Sequence, residues 1–210
     1  AQTEAATGKR PWVKYWMHGE FLVVEKEKMA KSAGTFLILD DLVQEGYDPL
    51  AYRYFCLLTH YRKQLSLTWE GLTAAQNALQ KVRLKVQELL YYPDKGEKSA
   101  ENYIEEFQRA VNDDLNMPQA VAVVWNMLKD ETVNNAKKYK ALLEFDRVLG
   151  LSFDAIRKVK IPKDVKELLV KREDARLHKH WAEADGLREE IQKRGYLIDD
   201  TPSGPLVKKA

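Results

Sequence analysis

Two lysines three residues apart, followed by a serine, are the residues of this sequence best suited to phosphate chemistry. Lys28 and Lys31 flank Met29-Ala30, and Ser32 comes next. Ammonium groups placed in advance stabilise the negative charge that phosphoryl and adenylyl transfer spreads over oxygen atoms. A solvated lysine turn between a strand and a helix would contain the same residue types, so the motif alone leaves both interpretations open.

Composition sets limits on the classes of protein that can hold such a loop. The chain has 210 residues, enough for one large domain or two to three small ones. Hydrophobic residues make up 45% and charged residues 31%, which is typical of a globular protein. The net charge of +2 does not demand a nucleic-acid partner, so RNA binding has to rest on the local placement of charge.

The single cysteine and the short apolar runs indicate in which cellular compartment the protein is expected. Cys56 lies within an apolar run, so no disulfide framework or cysteine-based metal site can form inside one chain. A buried, reduced thiol indicates a reducing compartment, and we expect the cytoplasm. No apolar run approaches the roughly 18 residues of a membrane span, and the first twelve residues contain no apolar signal region.

The hydrophobic periodicity predicts a mainly α fold with small β elements. Asp48-Pro49 predicts one helix start, and Thr68 predicts the cap of a long amphipathic helix. We expect a strand over 12–17 and a hairpin of 21–24 with 28–29. The predicted helices are 39–45, 49–60, 69–91, 101–112, 118–130, 134–148, 164–178 and 181–194, before a closing hairpin of 196–198 with 206–207.

The C-terminal tail carries residue types that suit a splayed-out RNA base. Arg172, Arg176 and Lys179 follow at spacings of four and three, which predicts one shared helical face. Trp181, Asp185 and Arg188 follow in this order. An aromatic ring can stack on a base, and a carboxylate can accept a hydrogen bond from a guanine edge. The alternative is a solvated helix hairpin whose tryptophan fills the joint.

Six stretches of the sequence, taken in order, resemble those of a known protein family. They are YWMHGEFL at 15–22, KMAKS at 28–32, DPLAYRYF at 48–55, HYR at 60–62, FQRAVNDDLNMPQA at 107–120 and the tail from Arg172 to Pro202. Together they resemble the C-terminal half of bacterial cysteinyl-tRNA synthetases over nearly the whole chain. KMAKS resembles the KMSKS loop of class I aminoacyl-tRNA synthetases, with Ala30 in place of the first serine.

The resemblance implies roles for individual residues. In the loop it implies that Lys31 first, Lys28 second and also Ser32 bind the ATP phosphates, with both lysines catalytic. In the tail it implies a small C-terminal α+β anticodon-binding domain whose tRNA contacts come from Arg172, Arg176, Trp181, Asp185, Arg188 and Asp200. Between them it implies a DALR-type helical bundle, and we expect domain boundaries of 1–67, 68–158 and 159–210.

The resemblance also implies what the parent enzyme does. Such an enzyme activates cysteine with ATP and charges tRNA(Cys). Its nucleotide fold, its HIGH motif and the zinc ligands lie N-terminal to the matching stretch. We therefore expect no metal in this chain, and we expect it to bind tRNA as a monomer without being catalytically complete.

The resemblance also bears on three other segments. Family architecture places Arg62 and Lys63 towards the acceptor stem of a tRNA. His18 would skirt the active site, although a structural histidine is the favoured interpretation. Asn112-Asp113-Asp114 are expected to be caps and turn formers before a helix rather than RNA contacts.

Two other functions stay open at this point. A free-standing tRNA-binding paralogue could have lost the catalytic domain. A related ligase that joins cysteine to an amino sugar shares the lysine loop, but the tail between Arg176 and Asp200 argues against it.

Overall fold

The computed structural model describes residues 2–24, 27–28, 38–201 and 203–209, with 27–28 described for the backbone. Within these ranges the fold is mainly helical, as predicted, with two small sheets. The helices are α1 (Gln2–Thr7), α2 (Leu39–Gln44), α3 (Pro49–Leu57), α4 (Trp69–Tyr91), α5 (Glu101–Asn112), α6 (Met117–Lys129), α7 (Asn135–Leu149), α8 (Lys163–Leu177) and α9 (Trp181–Lys193). The strands are β1 (Leu22–Val24), β2 (Glu27–Lys28), β3 (Leu65–Leu67), β4 (Tyr196–Thr201) and β5 (Gly204–Lys209).

The first sheet has β1 at its centre. β2 pairs with β1 in antiparallel fashion, which confirms the predicted hairpin, and β3 pairs with its other edge in parallel. The strand predicted over 12–17 is wrong, because that segment forms no ladder. A strand needs a neighbour for its backbone N–H and C=O groups, and both edges of β1 are already occupied.

Side-chain caps set the starts of α3 and α4 as predicted. The Asp48 carboxylate accepts a hydrogen bond from the Leu50 amide at 2.8 Å, and Pro49 occupies the first turn. The Thr68 hydroxyl accepts from the Gly71 amide at 3.0 Å. Arg83 of α4 also donates to Asp48 at 2.6 Å, so the two helices are tied together at this cap.

One long helix organises the bundle. An apolar stripe runs along α4 and packs into the main core with residues of α3, α5, α6 and α7. The three- and four-residue spacing predicts a stripe of Leu72, Ala75, Leu79, Val82, Val86 and either Leu89 or Leu90. The structure buries the first five and Leu89, whereas Leu90 is only partly buried. No helix in the described residues is both long and apolar enough to cross a bilayer.

Cys56 lies in α3, where the apolar pattern placed it, and it is partly buried rather than fully buried. Burial raises the pKa of its thiol, although hydrogen bonding to Tyr52 opposes the change. The thiol is therefore neutral near pH 7 and a poor nucleophile.

The turn between α5 and α6 has an unusual backbone. Asp113 follows the last residue of α5, and the next two residues, Asp114 and Leu115, have left-handed φ angles of 51° and 53° respectively. The Asn116 side chain then caps α6 by accepting from the Gln119 amide at 3.3 Å. The expected turn formers are confirmed for Asp113 and Asp114, whereas Asn112 is the last residue of α5.

A second, smaller core belongs to the C-terminal elements. Val165 and Leu168 of α8, Ile191 of α9 and Ile198 of β4 form it, separately from the main core. α8 ends at Leu177, and Lys179 lies beyond it with a left-handed φ of 62°. The predicted shared face of Arg172, Arg176 and Lys179 is therefore wrong for Lys179, because the helix stops before reaching it.

The closing hairpin, β4–β5, docks on the end of α4. The Tyr92 hydroxyl donates to the Pro205 carbonyl at 3.0 Å, and Lys95 donates to the Ser203 hydroxyl at 2.9 Å. Gly204 has a φ of +134°, and a Cβ atom added there would overlap the Tyr92 hydroxyl. Both the backbone conformation and the close approach therefore require glycine.

We predict that Gly204→Ala lowers the free energy of unfolding by about 2 kcal/mol or more, because the alanine is strained and pushes Tyr92 away. Gly186→Ala is the matched control, since Gly186 lies inside α9 with nothing near its added Cβ. The free energy of unfolding of Gly186→Ala should be higher than that of the wild type by about 0.5–1 kcal/mol, because alanine has a higher helix propensity than glycine. Urea unfolding of both variants measures the difference, and equal stabilities would contradict the close-contact explanation.

Candidate nucleic-acid interface

Three arginines converge on one carboxylate in the C-terminal elements. Arg172 of α8 donates to both oxygens of Asp200 in β4, from Nη1 at 3.0 Å and from Nη2 at 2.9 Å. Arg176, one turn further along α8, donates to the same carboxylate at 3.1 Å. Arg188 of α9 lies 3.9 Å from it and donates to the Ile198 carbonyl at 3.1 Å. The cluster therefore joins α8, α9 and β4.

Arg172 is the buried centre of this cluster. Only 2% of its side chain is exposed, and it also donates to Glu173 at 2.6 Å. Its Nε atom is buried without a hydrogen-bond partner. Burial opposes its positive charge, but the hydrogen bonds and charge of Asp200 outweigh that effect and raise its pKa. The hydrogen bond from Arg172, helped by the three arginine charges, lowers the pKa of Asp200.

The remaining predicted tail residues face solvent. Trp181 is the first residue of α9 and is 59% exposed, so the alternative in which it fills the joint is wrong. Asp185 lies one helical turn later and is also exposed. Arg176 and Arg188 keep 37% and 50% of their side chains exposed. The surface thus combines an open aromatic ring, an open carboxylate and two half-exposed guanidinium groups.

The structure separates the tail residues into two groups. Arg172 and Asp200 bind each other through both carboxylate oxygens. Trp181 and Asp185 are exposed, and Arg176 and Arg188 are partly exposed although each also has a partner within the cluster. The spacing of 28 residues between Arg172 and Asp200 carries no local signal, so the sequence could not show this pairing. Their contact with RNA stays a prediction.

A second polar cluster joins the segment after α3 to the α5–α6 turn. Tyr61 donates to Asp114 at 2.6 Å, and Arg62 approaches the same carboxylate at 2.7 Å. The Arg62 guanidinium lies 5.3 Å from the Tyr61 ring centroid and is 65% exposed. Hydrogen bonds from Tyr61 and then Arg62 lower the pKa of Asp114. Asp114 therefore has a partner in Arg62 that the sequence analysis missed, and Lys63 is exposed beside it.

The lysine loop is only partly described. Lys28 belongs to β2, where its backbone pairs with Val23. Lys31 and Ser32 lie outside the described residues, so the ATP contacts of all three side chains stay predictions. His18 is exposed and stacks on Trp16 with ring centroids 6.1 Å apart.

The described part of the chain offers no set of metal ligands. It contains no group of three histidine, cysteine, aspartate or glutamate side chains placed to hold a metal ion. The residues present there do not fit a zinc site, which needs several such ligands at bonding distance.

Three family models match this chain in sequence order. Residues 1–77 match the class I (C) tRNA synthetase catalytic domain, and residues 106–154 match the DALR domain. Residues 159–204, which include the arginine cluster, match the cysteinyl-tRNA ligase anticodon binding domain. With this fold and these matches, the chain is a member of the class I aminoacyl-tRNA synthetases.

Curated relatives narrow the class further. The chain is 42% identical to cysteine–tRNA ligase 1 of Burkholderia lata over 97% of its length and 43% of that relative. It is 36% identical to the cysteine–tRNA ligases of Protochlamydia amoebophila and Chlamydia muridarum, covering 47% and 49% of them. The chain belongs to the cysteine–tRNA ligase family, and it spans a little under half the length of these relatives. The alternative of a paralogue without synthetase function is not favoured by them.

We predict that Asp200→Asn costs about 2 kcal/mol of unfolding free energy at pH 7, because buried Arg172 loses its charged partner. The pKa of Asp200 is depressed in the folded state, so its contribution is present above the unfolded value of about 3.9. The contribution is lost as pH falls through the lower, folded value. Urea unfolding from pH 7 to pH 2 should therefore show the wild type and variant converging in acid.

Asp185→Asn is the control for this experiment, because that exposed side chain forms no hydrogen bond or ion pair recorded among the described residues. Its stability should stay within about 0.5 kcal/mol of the wild type. A constant difference between Asp200→Asn and the wild type across the whole pH range would contradict the proposed charge pairing.

Proposed function

We propose that this chain supplies the tRNA-binding part of a cysteine–tRNA ligase, which activates cysteine with ATP and charges tRNA(Cys). The observation that carries the proposal is the arginine cluster with its open aromatic neighbour, Trp181. This surface lies within the segment that matches an anticodon-binding domain. A base stacked on Trp181 and phosphates near exposed arginines are the contacts that such a surface favours.

Within the anticodon surface we assign two kinds of role. Trp181 stacks on a loop base, and Asp185 accepts hydrogen bonds from a base edge. Arg176 and Arg188 bind phosphate or base acceptors through their exposed donors. Arg172 and Asp200 act by holding those arginines in place, because the Nη atoms of Arg172 and both carboxylate oxygens of Asp200 already have partners.

The catalytic role of the lysine loop is part of the same proposal. Lys31, assisted by Lys28 and Ser32, stabilises the negative charge on the ATP phosphates as pyrophosphate leaves. The cysteine-binding site and the remaining parts of the ATP site are contributed by regions of the enzyme that this chain does not span. Zinc belongs to those regions as well. Arg62 and Lys63 contact the acceptor side of the tRNA.

The organisation of the protein follows from this function. We propose a division at residues 1–67, 68–158 and 159–210. The separate C-terminal core supports the last boundary, whereas the main core includes residues on both sides of the boundary at 67. A monomer acting in the cytoplasm is consistent with a role in protein synthesis.

We predict that Trp181→Ala weakens binding of tRNA(Cys) by about tenfold, which corresponds to the loss of one base-stacking contact of about 1–3 kcal/mol. Trp16→Ala is the matched control, since Trp16 is also exposed but lies outside the anticodon-binding segment. Fluorescence anisotropy with labelled tRNA measures both. A tRNA with a changed anticodon should bind the wild type more weakly, and equal affinities would count against the assignment.

We also predict that the 210-residue chain alone shows no cysteine-dependent exchange of pyrophosphate into ATP. The physical reason is that preplaced lysines lower a barrier only when the rest of the site holds ATP and cysteine in position. The exchange assay needs a full-length cysteine–tRNA ligase as its positive control. Cysteine-dependent pyrophosphate exchange by the chain alone would contradict the proposal that the chain is catalytically incomplete.

A further inference from the structure

A buried lysine without a partner lies where the helical bundle meets the closing hairpin. Lys138, in the second turn of α7, is only 3% exposed. Within the part of the chain that the structure describes, its ammonium group has no hydrogen bond and no ion pair. Removing a charged amine from water without a partner is unfavourable, so Lys138 either gives up its proton or binds a ligand that accepts hydrogen bonds.

Lys138 lines a small cavity of about 30 Å³. The other walls come from the end of α4, the segment after α4 and the turn of the closing hairpin, through Glu88, Lys95 and Ser203. One water molecule needs about 10–15 Å³ on this scale, so the cavity has room for about two waters or for one small anion. A nucleotide or another large ligand does not fit.

The acidic group closest to this cavity is satisfied without Lys138. Glu88 accepts a hydrogen bond from Lys85 at 2.8 Å, and the Ser203 hydroxyl, which accepts from Lys95 at 2.9 Å, also hydrogen-bonds to Glu88. Burial opposes the negative charge of Glu88, but the hydrogen bonds from Lys85 and Ser203 outweigh it and lower the pKa of Glu88. Glu88 is therefore an ionised group with its own partners, and it leaves Lys138 unpaired.

Lysines outnumber carboxylates around the cavity. The lining lysines are Lys85, Lys95, Lys129 and Lys138, and the lining carboxylates are Glu88 and Glu131. A third carboxylate, Asp130, acts on Lys138 through its charge, but its oxygens accept hydrogen bonds from Tyr103 and Thr132. With Asp130 included, the four lysines still exceed the three carboxylates by one charge. One monovalent anion would balance that excess.

We propose that this cavity is a binding site for a small monovalent inorganic anion of the size of chloride, which accepts hydrogen bonds from the Lys138 ammonium. Lys85 and Lys95 border the same cavity, and each has N–H donors beyond those that contact Glu88 and Ser203. Because its walls come from α4, α7 and the closing hairpin, the bound anion ties the C-terminal elements to the bundle. This site is separate from the arginine cluster and does not depend on tRNA binding.

The protonation of Lys138 gives this site a pH dependence. Burial lowers the pKa of Lys138; the charges of Asp130 and Glu88 oppose that effect, and those of Lys85 and Lys95 add to it. An anion binds the charged form of Lys138, so anion affinity should fall as pH rises. The fall should begin below the pH range in which exposed lysines lose their protons.

The first test measures the NMR line width of chloride in the presence of the full chain, since chloride that exchanges with a protein site gives a broader signal. Lys138→Met removes the ammonium group and keeps an unbranched side chain. Lys140→Met is the matched control, because Lys140 is an exposed lysine of α7 that does not line the cavity. Lys138→Met should weaken chloride binding by about tenfold or more, because the buried anion loses its charged donor. Lys140→Met should behave like the wild type.

A second measurement compares thermal melting in sodium chloride and in sodium gluconate at equal ionic strength. Gluconate is too large for the cavity, whereas an anion that binds the folded state raises the melting temperature. The difference in melting temperature between the two salts should be the same for the wild type and Lys140→Met and should be shifted in favour of chloride relative to Lys138→Met. General effects of the two salts on the protein surface are common to all three proteins and cancel.

A third measurement locates the anion without any substitution. Bromide replaces chloride in crystals of the wild-type chain, and its anomalous scattering should give a peak within hydrogen-bond distance of the Lys138 Nζ atom. Waters alone in the cavity, or bromide only at exposed surface lysines, would overturn the proposal. Equal chloride line broadening by folded Lys138→Met and by the wild type would overturn it as well, and the bromide position decides alone if that variant does not fold.

Discussion

The apolar stripe of α4 is the constraint on which the rest of this structure depends. Its 23 residues extend for about 34 Å at 1.5 Å per residue. At its start, Tyr47 stacks on Trp69 with ring centroids 5.7 Å apart, and at its end Tyr92 receives the closing hairpin. The same helix therefore fixes the segment that matches a catalytic domain and the segment that matches an anticodon-binding domain.

Local interactions explain which parts of the fold could be predicted from the sequence. Asp48 and Thr68 cap helices through bonds to amides two or three residues away, so the residue types alone indicated the helix starts. β3 pairs with β1 across more than forty residues, and three residues of apolar character give no sign of it. The expected strand over 12–17 failed for the same reason, since strand formation depends on a partner elsewhere in the chain.

The candidate site shows the same division. Trp181, Asp185 and Arg188 were identified from spacing, and the structure places them on one short helix, exposed as an RNA-reading surface would require. The pairing of Arg172 with Asp200 could not be predicted, because it depends on how α8 packs against β4. A buried arginine that holds a half-exposed carboxylate gives the surface a fixed geometry, at the cost of removing a full charge from water.

The paired left-handed residues in the α5–α6 turn have a consequence for how the molecule opens. Asp114 and Leu115 each hold a conformation that costs a non-glycine residue about 1–2 kcal/mol. Tyr61 and Arg62 offset that strain by binding Asp114 from outside the turn. Amide hydrogens around this turn should therefore exchange with solvent sooner than those of α4, with local opening that begins where the bundle meets the segment after α3.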